Sequence, residues 1–365
     1  MNAIIYHSRD LDGLASGASL VRANRSVENM KTFGFHYGEE FDIRHLSRKN
    51  VGMVDVSFDM KKMFSTAKIS NDFIWIDHHV SAYEDFLKYA KDNDFTFKVT
   101  DLGLIKQYSN RKLGFTYYYS PRLSACEICA KLFIESENYK QAISLLGQYD
   151  TWRNNIKKKF VFDKDWDKEV IPFQYGMRMY GGIERVGEVL DNIADWRDGV
   201  SIESISESGK TILAYQKKIN LENMKHSFDI TFRVPVLNGE TFEIVGDNVL
   251  KGIAFNGGPF NSKTFEGKYF EDVYDFMMPF AFQGKTWNVS LYTTNDNRDN
   301  DIDILSIAKS FGGGGHKQAC GFQLPSDQLR FLESGEIQLG KLLNDRDELQ
   351  LPENDFNKNK DGGKK

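Results

Sequence analysis

Short apolar, β-branched runs recur through the first part of the chain, and a segment of helical spacing separates each from the next. This alternation restricts the fold more than any other feature. Ile4-Ile5-Tyr6, Val51 to Val56 and Phe73-Ile74-Trp75-Ile76 read as strands, with Leu14 to Val21, Phe58 to Ala67 and Tyr83 to Lys91 as helices. Strand and helix in alternation predict an α/β fold, a parallel sheet with helices on both faces. In such sheets ligands gather beyond the carboxyl ends of the strands, which says where to look for chemistry.

Leu123 to Gln148 and Ile183 to Trp196 have helical spacing, and Ser201 to Lys218 reads as a connecting helix. Beyond Ser227 the texture changes to strands: Ile230-Thr231-Phe232, Phe242 to Val245, Ile253-Ala254-Phe255, Phe276 to Phe282 and Trp287 to Tyr292. A helix from Ile304 to Ser310 and a strand from Cys320 to Leu324 complete a smaller α+β domain with a mixed sheet. The expected division is 1–198 for the first domain, 199–224 for the connecting helix, 225–349 for the second domain and 350–365 for a disordered polar tail.

The ends of the early strands carry acids and imidazoles. His7-Ser8-Arg9-Asp10-Leu11-Asp12-Gly13 follows the first strand, Asp55 closes the second, and Asp77-His78-His79 closes the third. Asp150 ends an apolar helix (Ile143, Leu145, Leu146). Carboxylates gathered that closely repel one another strongly unless cations lie between them. Mixed imidazole and carboxylate ligands suit Mn, Fe, Co or Zn better than Ca. Asp55, central among the motifs, is the natural bridge between two ions, and two metals about 3.5–4 Å apart serve in-line displacement at phosphorus. In the second domain Gly312-Gly313-Gly314-Gly315-His316 can expose backbone N–H groups as an anion-binding concavity, with His316 against a phosphate or base.

Composition sets outer limits. A net charge of -5, from 47 basic and 52 acidic residues, argues against broad electrostatic capture of duplex nucleic acid. No apolar run approaches the roughly 18 residues that span a bilayer, so no membrane partner is expected. The N-terminus enters a strand at once, without a basic region or cleavage site, so a cytoplasmic location is expected. Cys126 and Cys129, spaced C-x-x-C on a helical stretch, read as buried small side chains rather than a redox or zinc pair. Trp152, Trp287 and the phenylalanines read as core, and His36, His45 and His226 carry no assigned role.

On these motifs the chain resembles the DHH phosphoesterase superfamily, in the branch whose DHH-associated C-terminal domain ends in a Gly-Gly-Gly-His type motif. That branch includes RecJ-like exonucleases, nanoRNases and cyclic-dinucleotide phosphodiesterases. The resemblance spans Ile4 to Leu324 and rests on His7, Asp10-Leu11-Asp12-Gly13, Asp55, Asp77-His78-His79, Asp150 and Gly312 to His316. It implies two divalent ions, manganese by family preference: one held by His7, Asp10 and Asp55, the other by Asp12, Asp55, His78 and Asp150. It further implies that His79 faces the substrate phosphate, that Asp77 orients the histidine pair, and that Gly312, Gly313, Gly314, Gly315 and His316 hold the far end of the substrate in a cleft between domains. The two residues between His7 and Asp10 are a spacing that varies within the family.

The Asp-Leu-Asp-Gly form and two-domain length look nearer to the oligoribonuclease members than to the larger RecJ enzymes. The implied activity is a nanoRNase-like exonuclease that hydrolyses short single-stranded oligonucleotides to mononucleotides, with a homodimer among the expected assemblies. Cleavage of cyclic or linear dinucleotides and removal of the 3′-phosphate from a phosphoadenosine are the alternatives. A class II pyrophosphatase would lack the glycine-histidine run. A metal-free scaffold would have lost carboxylates that are all present here.

Overall fold

Ile4 and its neighbours form β1 (Ala3–His7), beside which lie β2 (Lys31–Phe35), β3 (Asn50–Val54) and β4 (Asp72–Asp77). A meander of β5 (Lys98–Asp101), β6 (Lys106–Asn110) and β7 (Phe115–Tyr119) extends the sheet, whose order is β2-β1-β3-β4-β7-β6-β5. The strands β2, β1, β3, β4 and β7 are parallel, as the alternation predicts. Strand β6 runs antiparallel to both of its neighbours, so the sheet is mixed at that edge, a correction to the all-parallel expectation. The structure, a computed structural model, describes residues 1–154, 159–237, 244–258, 262–270, 272–293, 304–331 and 335–339. The expected polar tail and the Phe242-Glu243 part of an expected strand lie outside the described residues.

Successive side chains of a strand point to opposite faces, and here both faces are covered, which is why these strands read as continuous apolar runs. Ile4, Val54 and Ile76 pack on one side with Leu20, Ile128 and Cys129. These come from α1 (Leu11–Ala23) and, further along the chain, the helix Ala125–Phe133. Ala3, Ile5, Met53, Phe73 and Trp75 pack on the other side with Met63, Phe64 and Phe86. Those residues belong to α2 (Met60–Ile69) and α3 (Val80–Asp92). The helix Ala125–Phe133 is α4, and behind it lie α5 (Glu137–Asp150), α6 (Ile171–Met177) and α7 (Gly182–Asp195), whose apolar faces meet α1 in a second core layer. Cys126 and Cys129 are buried on α4 and form no disulfide.

The chain divides into two compact units, Met1–Ala214 and Tyr215–Lys365, and the division falls inside α8 (Ile202–Asn223). The second unit is built on a mixed sheet. Its strands are β8 (Phe228–Leu237), β9 (Ile244–Asn256), β10 (Phe276–Gln283), β11 (Thr286–Tyr292), β12 (Gly314–His316), β13 (Ala319–Pro325), β14 (Leu329–Phe331) and β15 (Glu336–Leu339). They lie in the order β12-β13-β11-β10-β9-β8-β15-β14, parallel only between β9 and β10 and between β8 and β15. Two expected strands, ending at Val245 and beginning at Ile253, are one strand, β9, because it pairs along its length with β8. The helix α9 (Ile304–Ser310) covers one face, against Met278, Phe280, Leu291 and Phe322.

In the first unit α6 and α8 meet where neither carries a side chain. A Cβ at Gly209 would collide with the Pro172 carbonyl, and one at Gly176 with the Ile205 carbonyl. Backbone cannot yield as a flexible side chain does. Gly209→Ala is therefore expected to lower unfolding stability by about 1–3 kcal/mol. A drop in the urea midpoint checks this, and an unchanged midpoint would show that the helices do not meet there.

Candidate metal centre

The turn after β1 is shaped by Gly13. Its Cα approaches the His7 carbonyl so closely that a Cβ would clash, which is the physical reason for glycine after Asp12. Asp10 sits at the N-cap of α1, where Oδ1 accepts from Gly13 N–H at 2.9 Å. Its other oxygen, Oδ2, lies 2.6 Å from His7 Nδ1. Capping and site geometry thus use different oxygens of one carboxylate. Burial would raise the Asp10 carboxyl, but the His7 ring holds it below the usual range.

Asp12 is buried and anchored to a second helix. Its Oδ2 accepts from Ala125 N–H at 3.0 Å and its Oδ1 from Cys126 N–H at 2.8 Å, both in the first turn of α4. The unpaired N–H groups and dipole of a helix start favour an anion there. Asp55 follows β3 with a φ of 57°, a left-handed backbone that few non-glycine residues adopt and that clusters at functional sites. Its N–H is tied to the Ile76 carbonyl at 2.9 Å.

Asp77 ends β4 fully buried. Its Oδ1 accepts from His78 N–H at 2.7 Å, from His79 N–H at 3.2 Å and from His79 Nδ1 at 2.7 Å. Burial would lower the His79 pKa, but the Asp77 carboxylate beside it lifts it to about 9. These contacts are with the ring of His79 and with the backbone N–H groups of both histidines. The His78 ring turns the other way: Nε2 lies 3.2 Å from Asp150, 3.4 Å from Asp55 and 3.6 Å from Asp12.

Three carboxylates around one imidazole nitrogen exceed what one N–H can satisfy. Burial first, then repulsion from Asp12, Asp10, Asp150 and Asp77, pushes the Asp55 carboxyl well above the usual range. Burial and the charges of Asp12 and Asp10 do the same to Asp150. Among the described residues Asp55 Oδ1 is buried without a hydrogen-bond partner. Three overlapping trios bring ligand-type atoms within 4.8 Å of one another and could hold a metal ion: His7, Asp10 and Asp55; Asp12, His78 and Asp150; and Asp55, His78 and His79. Nitrogen and oxygen donors with an unsatisfied buried oxygen fit a divalent cation.

Comparison with known proteins adds little. A scan against family models finds no match, and neither does a search of curated proteins. Among solved structures the chain is similar to a pGpG-specific phosphodiesterase, PggH, from Vibrio cholerae, at 10% identity over 90% of this chain and 95% of that one, with a TM-score of 0.44. It is similar to an exopolyphosphatase-related protein from Bacteroides fragilis at 12% identity over 88% and 86%, TM-score 0.42. A third is RecJ in complex with Mn2+ from Thermus thermophilus, at 12% identity over 88% of this chain and 49% of that one, TM-score 0.42.

Two residues near the cluster escape sequence reasoning. His36, given no role there, faces His7: its Nδ1 lies 3.0 Å from His7 Nε2 and the rings stack at 5.2 Å. It follows β2, whose Phe35 pairs with His7 in register. The sign available in the sequence is Phe33-Gly34-Phe35-His36, an apolar run closed by an imidazole like the others. Trp152, expected in the core, is 41% exposed, because α5 ends at Asp150 and the chain turns outward through a φ of 50°. Trp287 is partly buried against the second unit's core.

The glycine run belongs to the second unit. Gly314-Gly315-His316 is β12, paired with β13. Gly312 has a φ of 74°, and a Cβ at Gly313 or Gly315 would strike the Gly321 or Ala319 carbonyl of that hairpin. Hairpin packing therefore requires glycine at these positions independently of any ligand. His316 is exposed at its tip.

His79 holds its proton more tightly folded than unfolded, since its folded pKa of about 9 exceeds the unfolded ~6.5. The stability it contributes is complete below about pH 6.5 and is lost as pH rises through about 9. Asp55 and Asp150, also raised, act with the same sign. Chelator-treated protein is expected to lose thermal stability across that window, and Asp77→Asn to flatten the loss. A midpoint temperature constant between pH 6.5 and 9 would contradict this.

Proposed function

We propose that the chain is a DHH-type, metal-dependent phosphodiesterase that hydrolyses short oligonucleotides to mononucleotides. The observation that carries this reading is the placement of Asp55. Its Oδ2 lies 3.6 Å from His7 and its Oδ1 3.4 Å from His78, so one buried carboxylate faces both ligand trios as a bridge would. His7, Asp10 and Asp55 would hold one divalent ion, and Asp12, Asp55, His78 and Asp150 the other. The mixed donor set suits manganese and its neighbours in the first transition row. When bound, such a pair supplies positive charge at a phosphoryl group and a water acidic enough to attack near neutral pH.

The chain's own residues position and balance that chemistry. Asp12, fixed by two α4 N–H groups, and Asp55, fixed through its backbone N–H, present carboxylates that need not reorganise when a phosphate arrives. Asp77 keeps the His79 ring protonated and oriented beside the cluster. That ring is suited to stabilise a phosphate oxygen and to give its proton to the leaving ribose oxygen. The water oxygen bonds phosphorus and gives up a proton, the P–O bond to the ribose oxygen breaks, and that oxygen gains a proton. The sum is one water added across one phosphodiester.

His36 supports His7 in this scheme. A metal on Nδ1 requires the proton on Nε2, and Nε2–H can donate to His36 Nδ1 at 3.0 Å. His36→Ala is expected to weaken manganese binding about 10–100-fold with little change in folding. Asp55→Ala should cost more than that range, because Asp55 is the carboxylate that would serve both ions. Calorimetric titration with Mn2+, combined with turnover of an RNA dinucleotide, a 5′-labelled five-residue RNA, a cyclic dinucleotide and pyrophosphate, checks both variants and ranks the substrates. Full activity in Asp55→Ala, or pyrophosphate as the preferred substrate, would sink the reading.

A further inference from the structure

Trp152 lies two residues past Asp150, so their Cα atoms are at most about 7.6 Å apart. The ring is exposed on a left-handed backbone that a bulky side chain adopts only when its surroundings impose it. Neighbouring contacts impose it. Trp152 N–H bonds the Tyr149 carbonyl at 3.1 Å, and the next residue, Arg153, is buried and locked to Glu127 at 2.6 Å and Asp163 at 3.0 Å.

Trp152 also does not stand alone. Its ring centroid lies 6.0 Å from Tyr149 and 5.8 Å from Trp166, and Tyr149 stacks on Trp166 at 5.6 Å with planes 4° apart. The Arg178 guanidinium sits 5.6 Å over Tyr149 and donates to its hydroxyl at 3.2 Å. An aromatic tier with a cation on it, partly open to solvent and two residues from a metal-type carboxylate, has the makings of a base-stacking surface.

We propose that Trp152, backed by Tyr149 and Trp166, stacks a nucleobase of the substrate whose phosphate lies at the Asp150 side of the cluster. This rests on the phosphodiesterase reading and adds to it a residue that contacts the base. Every base offers a π face to such a ring, so the surface selects nucleotides over base-free phosphates without choosing among bases. Inorganic pyrophosphate and polyphosphate have nothing to place on it.

The test uses the full chain with calcium in place of manganese to slow turnover. Calorimetry measures binding of the RNA dinucleotide ApA and of its abasic counterpart, with ribose and phosphate but no bases. Trp152→Ala is expected to weaken ApA about tenfold or more, Trp152→Phe to restore most of that, and the abasic ligand to bind wild type and Trp152→Ala alike. Urea midpoints confirm that both variants fold. Unchanged ApA affinity in Trp152→Ala, equal loss of the abasic ligand, or wild type binding ApA no better than the abasic ligand would each overturn the proposal. The phosphodiesterase reading fails separately, as absence of ApA hydrolysis by wild type with manganese while the base-dependent difference in binding persists.

Discussion

Burying Asp55 among other acids is the constraint that organises the first unit. An isolated carboxylate out of water is costly, and four further carboxylates in the same region make ionisation of all of them together unfavourable. The fold nevertheless holds Asp55 there, on a left-handed backbone and with one oxygen lacking a hydrogen-bond partner among the described residues. Opposite charge from a divalent cation would offset the repulsion and the cost of the buried charge, and would give the unsatisfied oxygen a partner.

The surrounding groups are set so that the acids cannot move apart. Gly13 lets α1 close against His7, which brings Asp10 and Asp12 to the strand end. The start of α4 fixes both oxygens of Asp12 by backbone N–H groups. Asp77, behind the cluster, takes up three donors from the His78-His79 segment and so aims two neighbouring rings differently. His79 is turned to Asp77, while His78 is turned to Asp12, Asp55 and Asp150. This is preorganisation in the ordinary electrostatic sense, with the cost of approach met during folding.

Much of this is legible in the sequence. The strands β1, β3 and β4, buried on both faces, leave uninterrupted apolar runs, and their terminal acids mark the sheet edge. Elements that are only half buried left weaker signals. The strand β2 is a mostly exposed edge strand containing Lys31, Thr32 and Gly34, so its sequence carries little strand signal and does not point to His36 at its end. The meander β5 to β7 was missed for a related reason: its polar alternation, as in Lys106 to Asn110, resembles loop sequence until β7 pairs with β4. Large aromatic residues usually lie in the core, which is what the sequence suggests for Trp152, and a turn after α5 sets it otherwise.

The sequence by itself determined that parallel strands would end in carboxylates and imidazoles, because apolar periodicity and strand-end chemistry are local properties. It also determined that these acids could not all stay ionised unaided, because like charges repel whatever the details. Tertiary structure alone decided which oxygen of Asp10 caps a helix and which meets His7, that α4 anchors Asp12, that His36 backs His7, and that Trp152 opens outward beside Tyr149 and Trp166. Each of these depends on the approach of segments far apart in the chain, and a distance of a few ångströms between such segments is set by packing rather than by the residues on either side.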